Sequence, residues 1–281
     1  MKTLQPKVTL INWTPRPLET VAWTCWIYNN KPLESLDALK SVGLDTSEKL
    51  QQFMAKFIQE PTQPFMEYVQ MVFLLENVSR AFQQQITRHR LASFAIQSLR
   101  VTDMGRFADE GRYTRPATVK NPADFDAAMR LAQSSYRVMI DGGENPEDAR
   151  GALPLNVHSP ITMRVDFNAL RHVLQGRLCL TAQEEARRVG YLFKKEVHEK
   201  MGDWFGNLLQ PPCHKIYGGK CTRMQYYCGV PLWLASTQPK QFAEWFKRTK
   251  GQPEGSRVPT NTVLLDEDLE QVKLALGKET L

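Results

Sequence analysis

Between Glu76 and Asp103 the chain carries Arg80, Arg88, His89, Arg90 and Arg100 and no Asp or Glu at all. A fold must bring distant carboxylates to these cations or leave them for an anion that is not part of the chain, because a cation buried without a partner is costly. The stretch ITRHRLASFAIQSLRV interleaves them with Leu91, Phe94, Ile96 and Val101, and reads as a buried segment. A bound phosphate meets the need, since arginine offers it two parallel N–H donors. The plainer reading is that Arg88 and Arg90 follow a helix and complement its negative end.

With 281 residues, 42% of them hydrophobic, the chain has material for a sizeable core in one large or two small domains. No apolar run approaches the roughly 18 residues of a membrane span, and the opening MKTLQPKVTLINW lacks the apolar stretch of a secretory signal, so a cytoplasmic protein is expected. Five unevenly spaced cysteines argue against a disulfide framework. The net charge of +6 is dispersed rather than striped, which fits small anionic ligands as well as a nucleic acid.

Val8 to Trp13 reads as a strand stopped by Pro15 and Pro17, with a helix through Leu18–Ile27. Residues 46–59 place Leu50, Phe53, Met54, Phe57 and Ile58 at helical spacing behind Thr46 or Ser47. Glu67–Leu75 reads as a buried strand. Val78, Phe82 and Ile86 at steps of four make Ser79–Arg88 a helix with Gln85 and Arg88 on one face. Asn121, Pro122 and Asp124 launch a helix to about Ile140, ended by Gly142-Gly143. Another begins near Asp166 and closes at Gly176, and Thr181 to Glu184 forms a capping box for the next. A catalytic domain is expected over 1–235, with a polar extension and a small terminal helix over 236–281.

Arg88-His89-Arg90, seven residues and then Ser98, with Ser79-Arg80-Ala81 upstream and Ala92-Ser93-Phe94 and Gln97 around it, resembles the signature of the flavin-dependent thymidylate synthases. A second block, RGALPLNVHSPITMRVDFNALRHVLQGRLCLTAQ from Arg150 to Gln183, resembles the same family. The resemblance implies an α+β fold, a mixed central sheet flanked by helices, assembled as a homotetramer with active sites between subunits. It implies FAD reduced by NADPH, a methylene from methylenetetrahydrofolate and reductive methylation of dUMP at carbon 5, with no protein cysteine as nucleophile. It assigns Arg88, His89, Arg90, Asn168 and His172 to the flavin and Gln85, Ser98, Arg100, Arg150 and Arg177 to the nucleotide. Ser98 orients the nucleotide and Arg177 stabilises charge on the pyrimidine. A looser likeness reaches about residue 230, where Pro-Pro-Cys and the later cysteines stand. Cys213, His214, Cys221 and Cys228 lack the paired spacing of a zinc site, so no metal is expected.

The chain departs from the family pattern at several polar positions. Tyr68 follows Glu67 where a histidine is usual, and the upstream histidine linked to folate is missing. Ile96 replaces Glu or Gln, Val101 an aromatic, and Asp166-Phe167-Asn168 the usual Asn-x-Arg. The same fold acting on dCMP, giving a 5-methyl or 5-hydroxymethyl product of the kind that serves to modify viral DNA precursors, is the alternative, with Asp166 as the acceptor for cytosine's exocyclic amine. From another class, a non-catalytic nucleic-acid-binding protein would place the same arginines on backbone phosphates, bind in a salt-sensitive way and hold no flavin.

Overall fold

The computed structural model describes residues 2–58, 60, 62–212, 214 and 216. The expected extension over 236–281, with Cys213, Cys221 and Cys228, lies outside the described residues. Strand β1 (Lys7–Trp13) leads through α1 (Pro17–Trp26), α2 (Ser47–Ile58) and a single-turn segment at Pro64–Tyr68 to β2 (Gln70–Glu76). Then come α3 (Arg80–Ile86), β3 (Ser93–Ile96), α4 (Pro122–Asp141), the short α5 (Pro146–Ala149), β4 (Ile161–Asp166), α6 (Phe167–Arg177), α7 (Glu184–Met201) and α8 (Asp203–Leu208). No helix among the described residues is long and apolar enough to cross a membrane.

The strands form one sheet in the order β1-β2-β4-β3. The α+β class holds, but the sheet is antiparallel at every pairing rather than mixed. The long connection after β1 explains its first pair: α1 and α2 return the chain to the end they left, where Thr14 N–H bonds the Gln70 carbonyl at 2.9 Å. A strand starting there can only run back against its neighbour. Alternation along β2 and β4 sends Met71, Phe73 and Leu75, and Ile161, Met163 and Val165, into one core. Phe193 of α7 packs edge-on against Phe73 with centroids 4.7 Å apart. A smaller cluster, including Phe107, Tyr113, Met129 and Tyr136, lies under α4.

Local capping chemistry is largely as expected. Asn121 accepts from Asp124 N–H at 3.4 Å and Asp166 from Ala169 N–H at 2.7 Å. Three boundaries differ. The stretch before Gln70 is a tight turn behind Pro64 rather than strand. Helix α6 runs through Gly176 to Arg177, and α7 starts from Gln183 rather than Thr181, without a side-chain cap bond. Close packing accompanies the last two: a Cβ at Gly190 would lie 3.1 Å from the Leu178 side chain, so α7 sits hard against the end of α6.

Between the two clusters runs a buried polar chain. Glu185 accepts from Ser79 N–H (2.7 Å), Ser79 Oγ (2.6 Å) and Thr114 Oγ1 (3.1 Å), and Thr114 Oγ1 meets His158 Nε2 at 3.1 Å. His158 is 3% exposed. Burial, then the charge of Arg112, pushes it down from 6.5 to about 4. The unfolded chain takes up that proton near the ordinary value and the folded one does not. Stability is therefore full above the ordinary value and falls as pH drops toward 4, by roughly 3 kcal/mol across the window. Burial raises Glu185, giving a slope of opposite sign. The comparison that isolates the histidine is denaturant unfolding at several pH values between 4.5 and 7.5: His158→Asn is expected to lose part of the acid-side fall seen in the parent, and parallel curves would refute the assignment.

Candidate active site

Helix α3 is the centre of the site. Ser79 caps it, accepting from Phe82 N–H at 3.0 Å while donating to Glu185. Phe82, Gln83 and Ile86 face the core. Ala81, Gln84, Gln85 and Arg88 line a cavity of about 410 Å³, to which Arg177 of α6 adds a wall. Arg177 Nη1 donates to Gln85 Oε1 at 3.1 Å, and Nη2 to the Gln85 carbonyl at 3.1 Å and His89 Nε2 at 3.3 Å. Burial, then the Arg177 charge, lowers the His89 pKa. A guanidinium only donates, so His89 accepts at Nε2 and is the neutral tautomer protonated on Nδ1. On its other side the Gln85 amide N–H donates to Gln183 Oε1 at 2.5 Å.

A second hollow, about 540 Å³, shares Gln84 with the first and is lined by Arg80, Arg150, Glu147 and Asp148 among apolar residues including Leu99 and Leu155. Arg100 pairs with Glu147 at 2.8 Å across side chains 57% and 52% exposed. Arg150 donates from Nε to the Glu147 carbonyl at 3.0 Å. Ser98 is exposed and its Oγ accepts from Arg100 N–H at 3.2 Å.

The structure thus brings the expected site residues together in two groups, Gln85, Arg88, His89 and Arg177 in one and Ser98, Arg100 and Arg150 in the other. Asn168 and His172 join neither by a hydrogen bond: Asn168 Nδ2 reaches Glu67 Oε1 at 3.4 Å, and His172 is exposed. The burial expected for the arginine-rich stretch is corrected. Arg88, Arg90, Ser98 and Arg100 are exposed and His89 is half-buried, because Ser93–Ile96 is an edge strand with Leu91 and Val101 turned outward, 74% and 85% exposed. Among the described residues Arg88 and Arg90 have no hydrogen-bond or ion-pair partner. Gln84, Glu147, Gln183 and Glu185 were missed. Only Gln183 had a sequence signal, as the last residue of the second matching block.

Flavin binding can be tested against this geometry. A pyrophosphate needs several strong donors free of competing carboxylates. The cavity beside α3 has no carboxylate in its lining, and the guanidiniums of Arg88 on its wall and Arg90 two residues on are exposed and without a partner among the described residues. The donor set fits.

The comparisons agree. A family model described as thymidylate synthase complementing protein matches residues 9–201. Flavin-dependent thymidylate synthase from Pyrococcus furiosus is 28% identical over 200 residues, covering 69% of this chain and 80% of the relative. The enzyme of the same name from Nitratidesulfovibrio vulgaris is 29% identical over 239 residues, 80% of this chain and 92% of the relative. Thymidylate synthase X from Helicobacter pylori, solved with FAD and dUMP, superposes with a TM-score of 0.58 at 16% identity, covering 72% of this chain and 99% of that one. With a family match that spans both arginine groups and all of the sheet but its first two residues, the chain belongs to the flavin-dependent thymidylate synthase family.

Proposed function

We propose that this protein methylates dUMP to dTMP, using FAD, NADPH and methylenetetrahydrofolate. The observation that carries the reading is the cavity under α3, where Arg88 and Arg177 stand without a carboxylate. Arg88, His89 and Arg90 would hold the flavin. When bound, FAD supplies hydride chemistry that no side chain here can offer. The chain's own residues bind and orient. Arg100 and Arg150 exchange Glu147 for the nucleotide phosphate, a small loss because exposed pairs are worth about 0–1 kcal/mol. The exposed Ser98 hydroxyl orients the nucleotide. Arg177, already holding Gln85 and His89, faces the negative charge that develops on the pyrimidine ring as hydride arrives.

The cytosine alternative has no observation of its own. Asp166, the candidate acceptor for an exocyclic amine, caps α6 through Ala169 N–H. We extend the reading to a homotetramer in which Asn168 and His172 of one subunit serve a flavin held by another, and to the cytoplasm, where Cys25 and Cys179, both buried free thiols, stay reduced.

The test is mass spectrometry of nucleotides after incubation with FAD, NADPH, methylenetetrahydrofolate and equal dUMP and dCMP. A methyl gain on dUMP is expected, from a particle of about four times 32.2 kDa by light scattering. Product on dCMP alone, or none on either, overturns the reading of the reaction, and a monomeric mass that of the assembly.

A further inference from the structure

Gln85 is held at both ends of its amide. Arg177 takes the oxygen and Gln183 the nitrogen, so the order of donor and acceptor presented to the cavity is fixed by neighbours rather than by Gln85 itself. Gln183 is in turn fixed by its place as the first residue of a clamp. It precedes Glu184, which accepts from Ala117 N–H at 2.7 Å, and Glu185, which accepts from Ser79 at the start of α3. Helix α3 is thereby gripped from α7 at its cap and at its last turn.

We propose that Gln183 is a positioning residue for the nucleotide site, its Oε1 setting the orientation of the Gln85 amide that the pyrimidine nucleotide meets. The idea rests on the dUMP reading above and adds a residue to it. Each Gln85 amide atom keeps one free valence, an N–H on Nε2 and a lone pair on Oε1, and both are then presented in one order. If the amide turned over, its N–H groups would face the Arg177 guanidinium, donor against donor. An acceptor at position 183 therefore favours the working orientation, an apolar group leaves it to Arg177 alone, and a donor opposes it.

That ranking is the test. Calorimetry with dUMP on the FAD-loaded wild-type protein comes first. Gln183→Glu, Gln183→Leu and Gln183→Lys are then compared in KM for dUMP, kcat, flavin absorbance and thermal midpoint. The expected result is a KM within about threefold of wild type for Gln183→Glu, raised about tenfold for Gln183→Leu and further for Gln183→Lys. Flavin content and kcat at saturating dUMP should stay within about threefold, as for an interaction made equally in ground and transition states. A merely structural role would move the thermal midpoint and flavin content and would not rank acceptor above apolar above donor. Wild-type binding of dUMP together with unchanged KM in Gln183→Leu and Gln183→Lys overturns the proposal, as does a Gln183→Glu no better than Gln183→Leu. No dUMP binding by wild type overturns the dUMP reading itself, and this inference with it.

Discussion

Arg177→Ala is expected to lower kcat at saturating dUMP by about 100-fold, the scale seen when a single preorganised donor to developing charge is removed. At least three bonds are lost together, among them those to the Gln85 amide oxygen, the Gln85 carbonyl and His89 Nε2. The charge goes with them. Arg177→Lys keeps the charge but not the planar fork that spans three acceptors, so it should recover only part of the loss. The proton NMR titration of His89 gives an independent reading. Burial is the larger cause of its lowered pKa and Arg177 the second, so Arg177→Ala should move the imidazole titration upward. Full turnover in Arg177→Ala at saturating nucleotide would falsify the role assigned to this side chain.

The helices that were legible in the sequence are those whose stop and start signals are local. Asn121 and Asp166 each bond an N–H three residues on, and no distant partner is needed to see that. Val78, Phe82 and Ile86 mark the buried side of α3 in the same way. Gly176 and Thr181 misled because their neighbourhood is tertiary: α7 packs at Gly190 against Leu178, and the turn between the helices answers to that contact rather than to its own residues. Strand direction is non-local for a similar reason. The site followed the same division. The motif gave the residues, but not that Glu147 lies on Arg100, or that Gln183 reaches Gln85 across 98 positions of sequence. The run of five basic residues without a carboxylate needs partners only where it is buried, and Arg88 and Arg90 stand exposed without one among the described residues. Its burial was misjudged, because alternation between apolar and polar residues describes an edge strand as well as an interior one.

Glu185→Leu is expected to cost about 3 kcal/mol of stability in denaturant unfolding. The carboxylate is on a residue 6% exposed and takes the Ser79 N–H, the Ser79 hydroxyl and the Thr114 hydroxyl. Leucine leaves these donors buried without that acceptor. The hydroxyls can turn to other acceptors; the backbone N–H cannot. Against the loss stands relief of the carboxylate's own desolvation, which raises its pKa, so the cost is smaller than a sum over three bonds. Glu185→Gln keeps one oxygen for the N–H and turns a donor toward Ser79 Oγ, which can accept, so about 1 kcal/mol is expected. The consequence reaches the site because α3 spans only Arg80–Ile86, too short to be stable by itself. Its position depends on the Ser79 cap and on α7, and Glu185 joins the two. Glu185→Leu should therefore weaken dUMP binding as well as stability while Glu185→Gln weakens neither by much. A leucine variant as stable as wild type would mean that the buried charge costs as much as its hydrogen bonds return, and that α3 is held by its apolar face alone.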